Sequence, residues 1–220
     1  MSRLPVILLL CGLAATALRG APLVGRMEGD TYVSPTGEFR IRAPVLPELG
    51  GTIEDSATVV TFHDDFGTHL SIACFSFDAT QRWEFETRDL RDYLLYFFNE
   101  IVLANFQARF PGSRIESARY LPTLLDGSLI AYALLPGGSN FEEPPSMVEG
   151  SAPDRVVAKR GSLLFVRHRH IYVVSLELAE RATQRSTYNL TTAQEDDQLA
   201  NRLTAAVGRM TFTDDKPRAP

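Results

Sequence analysis

Cysteine is scarce in this chain. There are two, Cys11 and Cys74, and Cys11 falls in an N-terminal apolar run. If that run is removed, Cys74 stands alone, no internal disulfide can form, and the fold must hold without one. Cys74 sits within LSIACFSF, as a small buried hydrophobe with no neighbouring cation to activate its thiol. Clustered positive charge is also missing. The formal net charge is −5 and no Lys/Arg-rich run occurs, which argues against a nucleic-acid surface, because phosphate binding needs grouped cations. No apolar stretch reaches the roughly 18 uninterrupted residues of a membrane-spanning helix. The strained Ser elbow of the hydrolases, the zinc-protease helix motif, the phosphate-cradling loop and the dinucleotide glycine pattern are all absent. The sequence therefore names no reaction.

What is present begins at the N-terminus. Arg3 precedes an apolar run over 4–13, and Ala15-Thr16-Ala17 follows. Charge, short apolar core and A-x-A together predict a secretory signal peptide over 1–17, with export to the periplasm or the extracellular space. Leu10 occupies the place where a lipobox has a small residue. Attachment to a membrane then requires lipidation at Cys11 or an uncleaved signal.

The pattern predicts a linker over 18–30, one α/β domain over 31–213 and a frayed tail over 214–220. Phe39 and Ile41 alternate with Arg40 and Arg42, which predicts a half-buried strand. Residues 57–63 and 68–77 read as a hairpin, and 78–86 as a lead-in with Trp83 and Phe85 as lids on the core. One long helix is predicted over 87–112, with Thr87 as N-cap and Pro111-Gly112 as its stop. Leu90, Leu94, Phe97, Ile101, Ala104 and Ala108 line one face. Leu95, Phe98, Val102 and Phe106 form a second stripe. Strands follow over 114–120 and 128–135, a long loop over 136–154, and a hairpin over 156–178 turning at Arg167-His168-Arg169-His170. Thr192-Ala193-Gln194-Glu195 reads as the capping box of a last helix, and 210–213 as a final strand. Hairpin connections predict an α+β fold: an α/β/α sandwich whose central, mostly antiparallel sheet carries one long and one shorter helix.

The stretches YVSPTGEFRIRAP, TFHDDFGTHLSI, the FPG that ends the long helix, DGSLIAYAL, LLFVRHRHIYVVSLEL and GRMTFTD resemble, in order and spacing, the PsbP-like and DcrB-like superfamily. The resemblance covers roughly residues 30 to 215. It implies the same α/β/α sandwich, and an exported accessory or binding protein. This chain departs from the pattern in its 136–154 and 180–191 loops, and in placing Arg-His-Arg-His where a tight turn is usual. No family site carries over residue by residue.

The histidines form two pairs near hairpin tips. His63 and His69 flank a turn that contains Asp64, and two imidazoles with a carboxylate are ligands suited to a divalent ion such as zinc or copper. A solvated polar turn has the same composition. His168 and His170 would share a strand face. Glu142-Glu143 and Glu195-Asp196-Asp197 are carboxylate clusters, the second at a helix start where acids complement the dipole. The reading is an exported accessory or interaction domain without catalysis, presenting its 136–154 loop to an envelope protein partner. The alternative is a metal- or small-ligand-binding module using His63 and His69.

Overall fold

The computed structural model describes residues 22–141, 156–183 and 188–213. The signal-peptide residues, Glu142-Glu143 and the tail lie outside them. A seven-stranded antiparallel sheet forms the middle layer. Its strands are β4 (Thr52–Asp55), β5 (Val59–His63), β6 (His69–Ser76), β7 (Arg114–Leu121), β8 (Ser128–Pro136), β9 (Val157–Arg167) and β10 (His170–Glu177), in spatial order β4-β5-β6-β10-β9-β8-β7. A second sheet of four short strands holds β1 (Arg26–Glu28), β2 (Thr31–Val33), β3 (Phe39–Arg42) and β11 (Met210–Phe212), in order β1-β2-β3-β11. The antiparallel α+β architecture is the one predicted. β1 lies within the segment read as a linker, and the small sheet is an addition to the single sheet expected.

Alternation along the strands divides the core in two. One face of the large sheet carries Phe62, Ile72, Tyr172, Phe165 and Ile130, and packs against the small sheet and against helix α5 (Thr192–Val207), which the short helix α4 (Ala179–Thr183) precedes in the chain. Gly161 lets α5 come close: a Cβ there would lie 3.0 Å from a Leu203 methyl and 3.2 Å from the Leu199 Cβ. The cap of α5 is Thr191, one residue earlier than predicted, boxed with Gln194. Glu195 is thereby freed for another role. The other face carries Leu129, Ala131, Leu164 and Ile171 beneath the long helix.

That long helix is not one regular element. α1 (Ala79–Thr87) comes first and ends at Thr87, whose hydroxyl donates back to the Trp83 carbonyl at 2.8 Å. Asp89, not Thr87, caps the next helix by accepting from the Asp92 N–H at 2.8 Å. Trp83 is 60% exposed and is no lid, while Phe85 does pack on the core. From Asp89 the chain runs through α2 (Leu90–Phe97), a π-helical turn (Phe98–Leu103) and α3 (Ala104–Arg109). Leu94, Phe98, Val102, Phe106 and Phe110 stand four apart. On a regular α-helix that spacing drifts about 40° per step; the wider π turn takes up the drift. The inward face passes from Leu94 and Phe97 to Phe98, Val102 and Phe106. Ile101, Ala104 and Ala108, read as the same face, turn outward.

Candidate functional site

The helix covers the β8–β9–β10 half of its sheet face. Beside it, β5 and β6 present half-buried side chains on that face, while Val60, Phe62, Leu70 and Ile72 on their other face are buried. An open cleft of about 270 Å³ lies there, between the sheet and the helix edge formed by Ile101, Val102, Asn105, Phe106 and Arg109.

His63 and His69 stand opposite each other across the hairpin. The Asp64 N–H bonds the Thr68 carbonyl at 3.1 Å, which makes the next pair inward a close, non-hydrogen-bonded one. The imidazole centroids are 5.7 Å apart, and the Phe141 ring lies 5.8 Å from His63 and 6.5 Å from His69. Both Nδ1 atoms are buried without a hydrogen-bond partner among the described residues. Burial, then Arg160 and His63, push the His69 pKa down to about 4, so this imidazole is neutral near pH 7. Asp64 does not join the pair. Its Oδ1 accepts the backbone N–H of Phe66 at 2.9 Å and of Thr68 at 2.8 Å, closing the turn. The predicted set of two imidazoles and a carboxylate is thus reduced to the imidazoles. No group of three or more His, Cys, Asp or Glu arranged to hold a metal occurs among the described residues.

Two residues that sequence reasoning passed over complete this end of the cleft. Arg160 and Glu177 are cross-strand partners on β9 and β10, with Arg160 Nη2 3.6 Å from Glu177 Oε2. Arg160 Nη2 donates to the Gly138 carbonyl at 3.1 Å, while its Nε is buried without a partner among the described residues. Burial pulls the Arg160 guanidinium below the usual arginine range, with Glu177 opposing and Arg109 adding to the pull. Glu177 accepts from the Ser139 hydroxyl at 2.6 Å, the Asn140 N–H at 2.9 Å and the Asn140 side-chain amide at 2.7 Å. The start of the predicted 136–154 loop is therefore pinned over the sheet; 142–155 lie outside the described residues. The signal was a charged pair at inward strand positions, in VVAKRGS and VSLELAE, where an apolar residue would be routine.

No family model matches the sequence, and no curated protein matches it. Solved structures do. The Saccharomyces cerevisiae Ran-binding protein Mog1p aligns at TM-score 0.47 and 11% identity, over 86% of this chain and 97% of that one. The cyanobacterial PsbP (CyanoP) of Synechocystis sp. PCC 6803 aligns at TM-score 0.47 and 11% identity, over 83% and 91%. A Bacteroides thetaiotaomicron protein aligns at TM-score 0.44 and 10% identity, over 88% of this chain and 52% of that one, so this chain spans about half its length. The similarity is one of overall fold alone.

The remaining candidates lie apart. His168 and Arg169 form the β9–β10 turn with φ of 49° and 61°. His170 stands opposite Ser76, at the far end of β6 from His69, about 23 Å along the strand. The two histidine tips do not converge. The Cys74 thiol is half-buried and pushed up to about 11, chiefly by burial, which disfavours the thiolate. Glu195 and Asp196 face inward onto Lys159 rather than outward.

Proposed function

We propose that this chain is a non-catalytic binding domain whose site is the cleft between the π-turned helix and the β5–β6–β10 surface. One observation carries the reading: two residues that line the cleft, His69 and Arg160, hold buried polar atoms, Nδ1 and Nε, that no group among the described residues satisfies. Buried polar groups are normally bonded, and an orphan beside an open cavity is a group awaiting a partner. π turns recur at functional sites, and Ile101 and Val102 of this one line the cleft. The Arg3, 4–13 and Ala15-Thr16-Ala17 pattern supports placing the domain outside the cytoplasm, where an envelope protein would be its partner. Titration with anilinonaphthalene sulfonate is expected to show one saturable site. Ala73→Trp, which fills the cleft, should abolish it with the fold intact by circular dichroism. Equal binding by this variant would sink the reading.

A second reading rests on the His63–His69 pair. No hydrogen bond from the described residues reaches either Nδ1, and both residues line a further opening shared with Glu54 and Asn140. Two cross-strand imidazoles suit zinc or copper, with water completing the shell. Calorimetric titration of zinc should give a saturable isotherm that His63→Ala/His69→Ala removes; no heat above that control ends this reading.

A further inference from the structure

The strand register arranges the cleft floor in rows. The first row holds His63 opposite His69 and Glu177 opposite Arg160. Two residues along every strand, Thr61, Ser71, Ser175 and Ser162 stand side by side. These four hydroxyls pair off, Thr61 with Ser71 at 3.1 Å and Ser162 with Ser175 at 2.9 Å. The third row is Val59, Ala73, Val173 and Leu164. Phe75 and Ile171 begin the fourth. Polarity falls row by row, from charge and imidazole through hydroxyl to aliphatic and aromatic, over about 20 Å.

The helix wall falls in the same direction. Its C-terminal end lies at the charged row, with Phe106 and Phe110 rings 5.7 and 6.0 Å from the Arg160 guanidinium. Its earlier turns lie at the aromatic row, with Phe97 6.2 Å from Phe75. Along its cleft edge the order is Arg109, then Phe106 and Asn105, then Val102 and Ile101. The polar residues of two separate elements, the sheet and the helix edge, thus lie at the same end, with Phe106 among them.

Among the described residues that line this cleft, the charge at the polar end is positive: Arg160 and Arg109 face one carboxylate, Glu177, which is already engaged by Ser139 and Asn140. From these walls we propose, building on the cleft reading above, that the ligand is an aliphatic carboxylate. Its head lies between Arg160 and Arg109 beside His69. Its chain runs over the hydroxyl row onto Val173 and Phe75, roofed by Val102. A guanidinium offers paired donors in the geometry a carboxylate accepts. The aliphatic rows supply the burial that holds the chain.

Calorimetry with decanoate, decanol and decyl phosphate tests this. Arg109 is exposed, so Arg109→Gln spares the fold. Decanoate is expected to bind about tenfold more tightly than decanol, a factor typical of one charge-assisted contact. Arg109→Gln should weaken decanoate several-fold and leave decanol unchanged, and Ala73→Trp should remove both. Decanol binding as tightly as decanoate, indifferent to Arg109→Gln, overturns the anionic head while the cleft stands. Decyl phosphate preferred over decanoate overturns the carboxylate. No binding of any of the three overturns this inference; if anilinonaphthalene sulfonate also fails, the cleft reading falls with it.

Discussion

Lys159→Ala is expected to cost about 3–5 kcal/mol of stability at pH 7, the range for breaking a buried ion pair from one side. Lys159 is fully buried on the α5 face of β9, beside Gly161. Its ammonium lies 2.5 Å from Glu116, 3.0 Å from Glu195 and 2.5 Å from Asp196, and 5.5 Å from the Tyr132 ring centre. Arg181 and the Tyr188 hydroxyl complete the coordination of Glu195, at 2.9 and 2.7 Å. The cluster ties the edge strand β7, the central strand β9 and the first turn of α5 together. Removing the lysine leaves the carboxylates facing one another with little water to screen them. Lys159→Met keeps most of the volume and loses the charge, so a similar loss from Met and Ala identifies charge rather than cavity as the cause.

The pH dependence follows from the signs. Burial pulls the Lys159 ammonium down, but Asp196, Glu116 and Glu195 outweigh it and hold it above the usual lysine range. Its contribution is complete below the unfolded value, about 10.4, and fades as pH rises through the folded one. Burial pushes the Glu195 carboxyl up; Tyr188, Lys159 and Arg181 outweigh that and hold it below the usual range. Its contribution is complete above the unfolded value, about 4.3, and fades as pH falls through the folded one. The cluster is therefore at full strength between about pH 5 and 10. In Lys159→Ala, protonation relieves the carboxylates, so the deficit against wild type should narrow as pH falls from 7 towards 4. Urea denaturation of both proteins across that range measures it. A deficit that is constant with pH would refute the electrostatic account, and a variant as stable as wild type at pH 7 would refute the buried ammonium.

Six strands of the large sheet were legible in the sequence, but the edge strand β4 was not. Val60 and Phe62, and Leu70 and Ile72, alternate with less buried neighbours, and turn residues separate the strands; β10 is buried on both faces and reads as a continuous apolar run. The long helix was half legible. Its two apolar stripes were visible, but a reader using a fixed 3.6-residue period assigns them to two faces. Only the run of five residues at a constant spacing of four, Leu94 to Phe110, hints at the π turn that merges them. Lys159 and Glu195 were illegible as partners. A lysine in a strand and a glutamate in a first helical turn are each at home on a surface, and 36 residues separate them. The site was legible in part for a similar reason. The hairpin brings His63 and His69 together locally, whereas the hydroxyl row requires the register of β5, β6, β10 and β9 at once. Asp64 misled because the same carboxylate that suits a metal also suits a turn, and the backbone N–H groups of Phe66 and Thr68 were nearer.

Glu177→Ala should match Lys159→Ala in cost, again about 3–5 kcal/mol, because it strands a buried guanidinium. Arg160 would keep the Gly138 carbonyl and lose the Glu177 carboxylate, while Ser139 and Asn140 would lose their acceptor. Amide hydrogen exchange at 138–141 should rise with it, since those hydrogen bonds hold Phe141 over the two imidazoles. Glu177→Gln separates the two roles of this side chain. An amide can still accept from Ser139 and Asn140, so the loss should be smaller, about 1–3 kcal/mol for an imperfectly satisfied buried group. It no longer offsets the charge of Arg160, however, and the polar end of the cleft gains one net positive charge. Decanoate should bind several-fold more tightly to Glu177→Gln than to wild type, and decanol should bind equally to both. Stability and affinity then move in opposite directions under one substitution. A residue that merely braced the loop would lower both, and a fall in decanoate affinity in a folded Glu177→Gln protein would place Glu177 outside the electrostatics of the cleft.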